Sequence, residues 1–399
     1  MIQNTKLLIG IDISKDKNDV CIKTNVGNAS NYLRISNTKA DLNKLYGKIN
    51  EIKSQYHGNC DVIFGMEATG IYYLPLYIAL KRDGHQIKLY NPIQTNGYRK
   101  MEIRKTKTDQ KDASIIADML RYSEPPVNDF NDLNLYQLRE LTRTRQRIVD
   151  KRTRCKIQII RDLDIIWAGY KKIIPMVFGK TSISILKKYT VPSKVTGKSF
   201  EEFHKFIKKN SRSQITESKS MDIYENAKNI LSIPELETGI SIEIKMLIAQ
   251  IELSDKQIQF VEGKINKIMD KIDFKITSIP GIGGTLGAII LGEIGDIDRF
   301  SNVKKLVAFA GLDPVVNQSG KKENYSGPIS KRGSPLLRHA LFMAASTARQ
   351  NDENIMRFYN KKMNEGKHYY SALNATAAKM LRIVYSVLKN NQEYKLQMA

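Results

Sequence analysis

Four acidic residues are placed where their type and spacing could do chemistry. Asp109 and Asp112 sit three residues apart in Lys105-Thr-Lys-Thr-Asp-Gln-Lys-Asp-Ala-Ser114, at the start of a helix expected over 112–121. Residues at i and i+3 share a helix face, so both carboxylates can point at one spot. Upstream, Asp12 and Glu67 each close a short apolar run. Around the downstream pair stand Arg99, Lys100, Arg104, Lys105, Lys107 and Lys111. Converging acids inside a basic run suit a divalent metal that must meet a phosphate backbone. Each acid has a plainer role open to it: Asp12 as a turn former, Glu67 as an ordinary strand end, Asp109 or Asp112 as a helix cap.

The elements that must position them follow from periodicity. Lys6–Ser14 reads as a buried strand, and Lys17–Lys23 and Asn31–Ile35 complete an antiparallel meander with a turn at Asn25-Val-Gly-Asn. Thr38 caps a helix whose apolar residues are Leu42, Leu45, Ile49 and Ile52. Asp61–Glu67 is the next strand, Gly70–Arg82 a helix and Gln86–Tyr90 a strand, after which Pro92 opens a loop into the basic run. This order predicts an α/β domain over residues 1–130, with Asp12 and Glu67 at carboxyl ends of strands, where α/β sheets hold ligands.

Composition sets the class. The chain has 399 residues, a formal net charge of +23 and 41% hydrophobic residues. That is enough for two or three domains with a sizeable core, and it excludes wholesale disorder. The positive excess asks for a polyanion, nucleic acid before an anionic membrane surface. The start lacks a signal-peptide layout, and the most apolar window, 285–294, is too short to span a bilayer. The expected location is the cytoplasm, with no membrane partner. Cys21, Cys60 and Cys155 are isolated, which argues against a disulfide framework or a zinc site.

Residues 131–275 form a helical linker in the expected architecture. Leu133–Trp167 has helical apolar spacing and carries Arg143 and Arg147 among many cations, which suits a helix laid along a nucleic-acid backbone. Ile240–Asp273 is a second long helix, able to pair with the first or, as a coiled coil, with another chain. Between them, 168–238 reads as a small helical insertion of unreadable task. Residues 276–399 form a mostly helical carboxyl-terminal domain. There, Gly281 and Gly283 in Pro-Gly-Ile-Gly either offer backbone N–H groups to a DNA phosphate or permit tight helix packing.

Three stretches carry a resemblance. Gly10-Ile-Asp12-Ile-Ser, Met66-Glu67-Ala-Thr-Gly-Ile-Tyr-Tyr and Lys107-Thr-Asp109-Gln-Lys-Asp112-Ala resemble the DEDD tetrad of a bacterial insertion-sequence transposase family that includes the Piv-type DNA invertases. The block from Ala310-Gly-Leu-Asp to Gly327-Pro-Ile-Ser-Lys-Arg-Gly333 resembles that family's second region. The resemblance implies an amino-terminal domain of the RuvC, ribonuclease H-like fold and metal-assisted phosphoryl transfer with Mg²⁺ or Mn²⁺, which hard oxygen ligands favour. It implies a nucleophilic serine at Ser319, with Ser326, Ser330 and Ser334 as further candidates, and phosphate contacts from Lys321, Lys322, Lys331, Arg332 and Arg338. It also implies a homo-oligomeric complex with donor and target DNA, directed by a structured guide RNA. Two rivals are a RuvC-type structure-specific endonuclease, needing the tetrad but not Ser319, and a non-catalytic nucleic-acid-binding protein with structural acids.

Overall fold

The computed structural model describes residues 5–25, 29–56, 60–67, 71–90, 92–101, 108–122, 133–211, 215–231, 233–316 and 326–395. The chain divides into two compact units, one of residues 1–133 with 295–307, the other of 134–294 with 308–399.

In the first unit, β1 (Thr5–Asp12), β2 (Asn18–Thr24) and β3 (Ser30–Ile35) form the expected antiparallel meander. Helix α1 (Lys39–Ser54) follows, its first turn closed by the Thr38 hydroxyl accepting from the Asp41 N–H. Then come β4 (Cys60–Glu67), α2 (Leu74–Arg82) and β5 (Gln86–Tyr90). The sheet order is β3-β2-β1-β4-β5, with β4 parallel to both β1 and β5. This mixed five-stranded sheet is consistent with a ribonuclease H-like domain. The expected loop after Pro92 is instead a helix, α3 (Pro92–Met101). Proline at a helix start loses no hydrogen bond and presets the backbone angle, so it opens this helix rather than preventing it. Helix α4 (Asp109–Tyr122) begins at Asp109, a turn earlier than the spacing suggested.

Alternation along β1 sorts its side chains between two layers. Leu7, Ile9 and Ile11 pack with Leu45, Ile49 and Leu76 of α1 and α2. Leu8 faces the other way, onto Ile115, Ile116, Met119 and Leu120 of α4. Helix α4 is tied down further by the ion pair of Lys23 with Asp118 at 2.6 Å and by Arg121 donating to the Thr24 carbonyl at 2.6 Å.

The second unit is helical. Helix α5 (Leu133–Ile166) precedes five short helices, α6 (Tyr170–Ile173), α7 (Lys180–Lys188), α8 (Pro192–Thr196), α9 (Phe200–Asn210) and α10 (Glu217–Asn229). Next is α11 (Pro234–Met269). The pairs Arg145–Glu262, Arg152–Asp255 and Gln158–Glu243 run in opposite sequence directions, so α5 and α11 lie antiparallel within the chain. Ile159, Leu163 and Ile166 of α5 share a core with Ile244, Ile248 and Ile251 of α11 and with the short helices. The unit continues with α12 (Gly284–Ile294) and with α13 (Val303–Ala310), whose first residues belong to the other unit. A two-stranded hairpin of β6 (Pro314–Val316) and β7 (Ser326–Ile329) follows, and then α14 (Pro335–Asn351), α15 (Glu353–Asn364) and α16 (Tyr369–Asn390).

Candidate active site

Two glycines bring the acids together. A Cβ on Gly10 would lie 2.1 Å from the Ala113 carbonyl oxygen and 2.4 Å from the Ala117 nitrogen. On Gly65, next to Gly10 in the parallel register, it would lie 3.0 Å from the Ile116 side chain. Helix α4 therefore rests directly on β1 and β4. Two residues beyond each glycine, on the same face by alternation, come Asp12 and Glu67. Asp112 immediately precedes Ala113, the residue in contact with Gly10. The Gly-x-acid pattern shared by both strands is a legible sign of this approach that periodicity alone does not use.

The electrostatics report the convergence. The Asp12 carboxyl is pushed up to about 7. Burial is the largest cause, followed by the negative charges of Asp112, Asp109, Glu67 and Asp19. Asp12 thus feels each of the other three predicted acids. Asp19, opposite Asp12 in the β1–β2 register, is a fifth carboxylate that sequence reasoning misses. It is neutralised separately, taking two hydrogen bonds from Arg34 at 3.0 and 3.1 Å.

Helix α3 supplies partners that the sequence does not announce. Thr95, 1% exposed, donates its hydroxyl to Glu67 Oε2 at 2.6 Å. One turn later Arg99 reaches Asp112 Oδ1 at 2.9 Å, so its charge faces the acids and not open solvent. The buried Arg99 Nε has no partner among the described residues, whereas the Arg34 Nε donates to Asp19. Among the described residues no three acidic, histidine or cysteine side chains form a ready-made cation cage. The donor chemistry nevertheless fits a divalent ion: hard carboxylate oxygens from three elements, with Asp12 held partly protonated among like charges.

The remaining predicted residues are dispersed. Arg104, Lys105 and Lys107 lie outside the described residues, as do Ser319, Lys321 and Lys322, and so does the Lys100 side chain. Arg143 turns inward, donating to both oxygens of Glu293 at 2.7 and 3.0 Å. Glu293 is 1% exposed and also accepts from the Ser334 hydroxyl at 2.8 Å. Ser334 caps α14, and these two contacts together give it a structural role. Ser330 donates to Asp313 Oδ1 at 2.5 Å. Arg147 is exposed, as are Lys331 and Arg332, with Lys331 in the left-handed region at φ 54°. Gly281, at φ 84°, abuts α14: a Cβ would come within 2.5 Å of the Ala344 carbonyl. That is the tight-packing role, whereas Gly283 faces open space. No helix among the described residues is long and apolar enough to cross a membrane.

Comparison with known proteins bears on the same stretches. The model of a family of DEDD transposases of the IS110 type matches residues 9–168, and that of the IS116/IS110/IS902 transposase family matches residues 274–360. A 42 kDa protein of insertion element IS900 from Mycobacterium paratuberculosis is 26% identical, covering 80% of this chain and 81% of its own. The pilin gene-inverting protein of Moraxella lacunata is 24% identical over 98% of both chains. The transposase of insertion sequence element IS1111A from Coxiella burnetii is 32% identical over 30% of this chain and 34% of its own.

Proposed function

The chain belongs to the IS110 family of DEDD transposases, enzymes that act on DNA, and from this premise we propose that it cuts and rejoins DNA by metal-dependent phosphoryl transfer. The observation that supports the catalytic reading is the electrostatic convergence of Asp112, Asp109 and Glu67 on Asp12. These four carboxylates would hold Mg²⁺ or Mn²⁺. Such an ion, when bound, supplies Lewis-acid stabilisation of charge on phosphate oxygens. Thr95 holds Glu67 in orientation, and Arg99 balances Asp112 until cation and DNA arrive.

Ser319 is our choice of nucleophile. Its Oγ would bond to phosphorus and expel a strand hydroxyl oxygen, which takes up the proton; reversing the exchange on a new strand end rejoins the DNA. One phosphoester replaces another, so no external energy source is needed. The net charge of +23 supports a further polyanion, and we place a guide RNA there. Exposed Ile242, Met246, Leu253 and Phe260 on α11 recur at helical spacing away from the chain's own core, which supports oligomerisation through that helix.

The test is a recombination assay with and without the RNA encoded beside the gene, on the unaltered enzyme, Asp12→Asn and Ser319→Ala. Both variants should yield no recombined product. A second reading, a DNA-binding protein with structural acids, is favoured by the Arg99–Asp112 ion pair. Full recombination by Asp12→Asn would overturn the metal-dependent reading; DNA binding that needs no metal, with no recombined product from the unaltered protein under any condition, would establish the second.

A further inference from the structure

We propose that an aromatic staircase where α14 meets the start of α16 is a stacking site for an unpaired base of single-stranded nucleic acid. Phe342 and Tyr370 have ring centroids 6.2 Å apart and planes 21° from parallel. His368 continues the series, 5.6 Å from Tyr370 at 28°. Tyr370 is nevertheless 61% exposed, an unusual state for a large ring already aligned with two others. Its neighbour Tyr369 meets it edge-on at 5.3 Å and is braced by the Arg349 guanidinium, which also lies over Tyr359 at 5.0 Å. The exposed rings therefore stand on a fixed base.

Surface charge selects the occupant. Residues 335–351, which form α14, contain no Asp or Glu, and neither do residues 366–392, which span α16. Lys367 directly precedes the staircase, and His339 lies one turn from Phe342 on α14. Of the acids that flank these stretches, Glu353 and Glu365 are paired with Arg357 and Lys362. Exposed near-parallel rings on two helices without acids match the stacking-plus-phosphate recognition of single strands, which tolerates any base because every base has a π face. A duplex keeps its bases stacked on each other and has none to give. The inference rests on the nucleic-acid reading above and assigns it a second locus, in the unit that does not carry the four acids.

The experiment titrates the full-length protein with a single-stranded DNA and a single-stranded RNA, each carrying one 2-aminopurine, and with a duplex of the same sequence. Tyr370→Ala should weaken binding of single strands about 5- to 100-fold and abolish the fluorescence quenching that reports stacking. Tyr370→Phe should retain both, and duplex affinity should not change in either variant. The DNA and RNA arms show which strand is preferred. If the unaltered protein binds duplex yet Tyr370→Ala holds single strands as tightly as before, the staircase is not a base platform. The proposal is equally overturned if Tyr370→Ala changes only the sedimenting species, which would make the rings a protein contact. If the unaltered protein binds no nucleic acid at all, the functional reading fails first.

Discussion

At the scale of single residues, half-buried Asp12 and buried Glu293 are carboxylates with opposite fates. Burial and four neighbouring negative charges act together on Asp12, so its carboxyl is raised to about 7 from an ordinary value of 3.8. A raised carboxyl favours the folded state at low pH, and that advantage is lost as pH rises from about 4 through 7. Asp12→Asn should therefore stabilise the metal-free protein at pH 8, by about 1–2 kcal/mol after solvent screening, and have little effect at pH 4. Melting curves at the two pH values check this. Because a metal ligand must be deprotonated, the stabilisation of the unaltered protein by Mn²⁺ should weaken as pH falls below 7. For Glu293 burial also opposes the charge, but hydrogen bonds from Arg143 and Ser334 outweigh it and hold its carboxyl below the usual range. Its contribution is present at neutral pH and is lost on acidification. Arg143→Ala leaves a buried charge with one partner fewer, and should cost about 3 kcal/mol in a denaturant titration at pH 7.

At the scale of elements, the site depends on how closely α4 approaches the sheet. Gly10→Ala places a methyl where the α4 backbone already is, and no side-chain rotation relieves that overlap. The variant should lose about 3 kcal/mol or more, and should lose recombination along with it, since moving α4 moves Asp112. Gly47→Ala, in α1 with open space around it, is the control and should be neutral or slightly stabilising. Much of this architecture is legible in the sequence. Short apolar runs place the five strands of the sheet, of which β1 and β2 are buried on both faces, and 3.6-residue spacing places α1, α5 and α11, which bury one face each. Helix α3 escapes such a reading because its sequence is polar and opens with proline, which hides Thr95 and Arg99 as partners of Glu67 and Asp112. Arg143 reads as a nucleic-acid contact because its buried acid, Glu293, is distant along the chain. No local pattern reports a long-range ion pair.

At the scale of the whole molecule, the excess of cations is smaller on α5 than composition suggests. Arg143, Arg145 and Arg152 are held by acids on α11 and α12. Arg147, Lys151 and Arg154 remain exposed at steps of four and three, which puts them on one helical face. If that face follows DNA phosphates, replacing all three by Ala should lower the slope of log affinity against log salt by about 2–3 and leave sequence preference unchanged. A binding titration over several salt concentrations measures both.

The interleaved chain path has a temporal consequence. The carboxylate-bearing unit recruits residues 295–307, so about 160 residues of the other unit must be made before its final segment exists. At ribosomal speeds of about 5–20 residues per second, the wait is roughly 10–30 s. A nascent chain thus carries all four acids early, long before the body that holds them is complete. A fragment ending near residue 130 would stay at that unfinished stage permanently, and nuclease activity would not be expected from it.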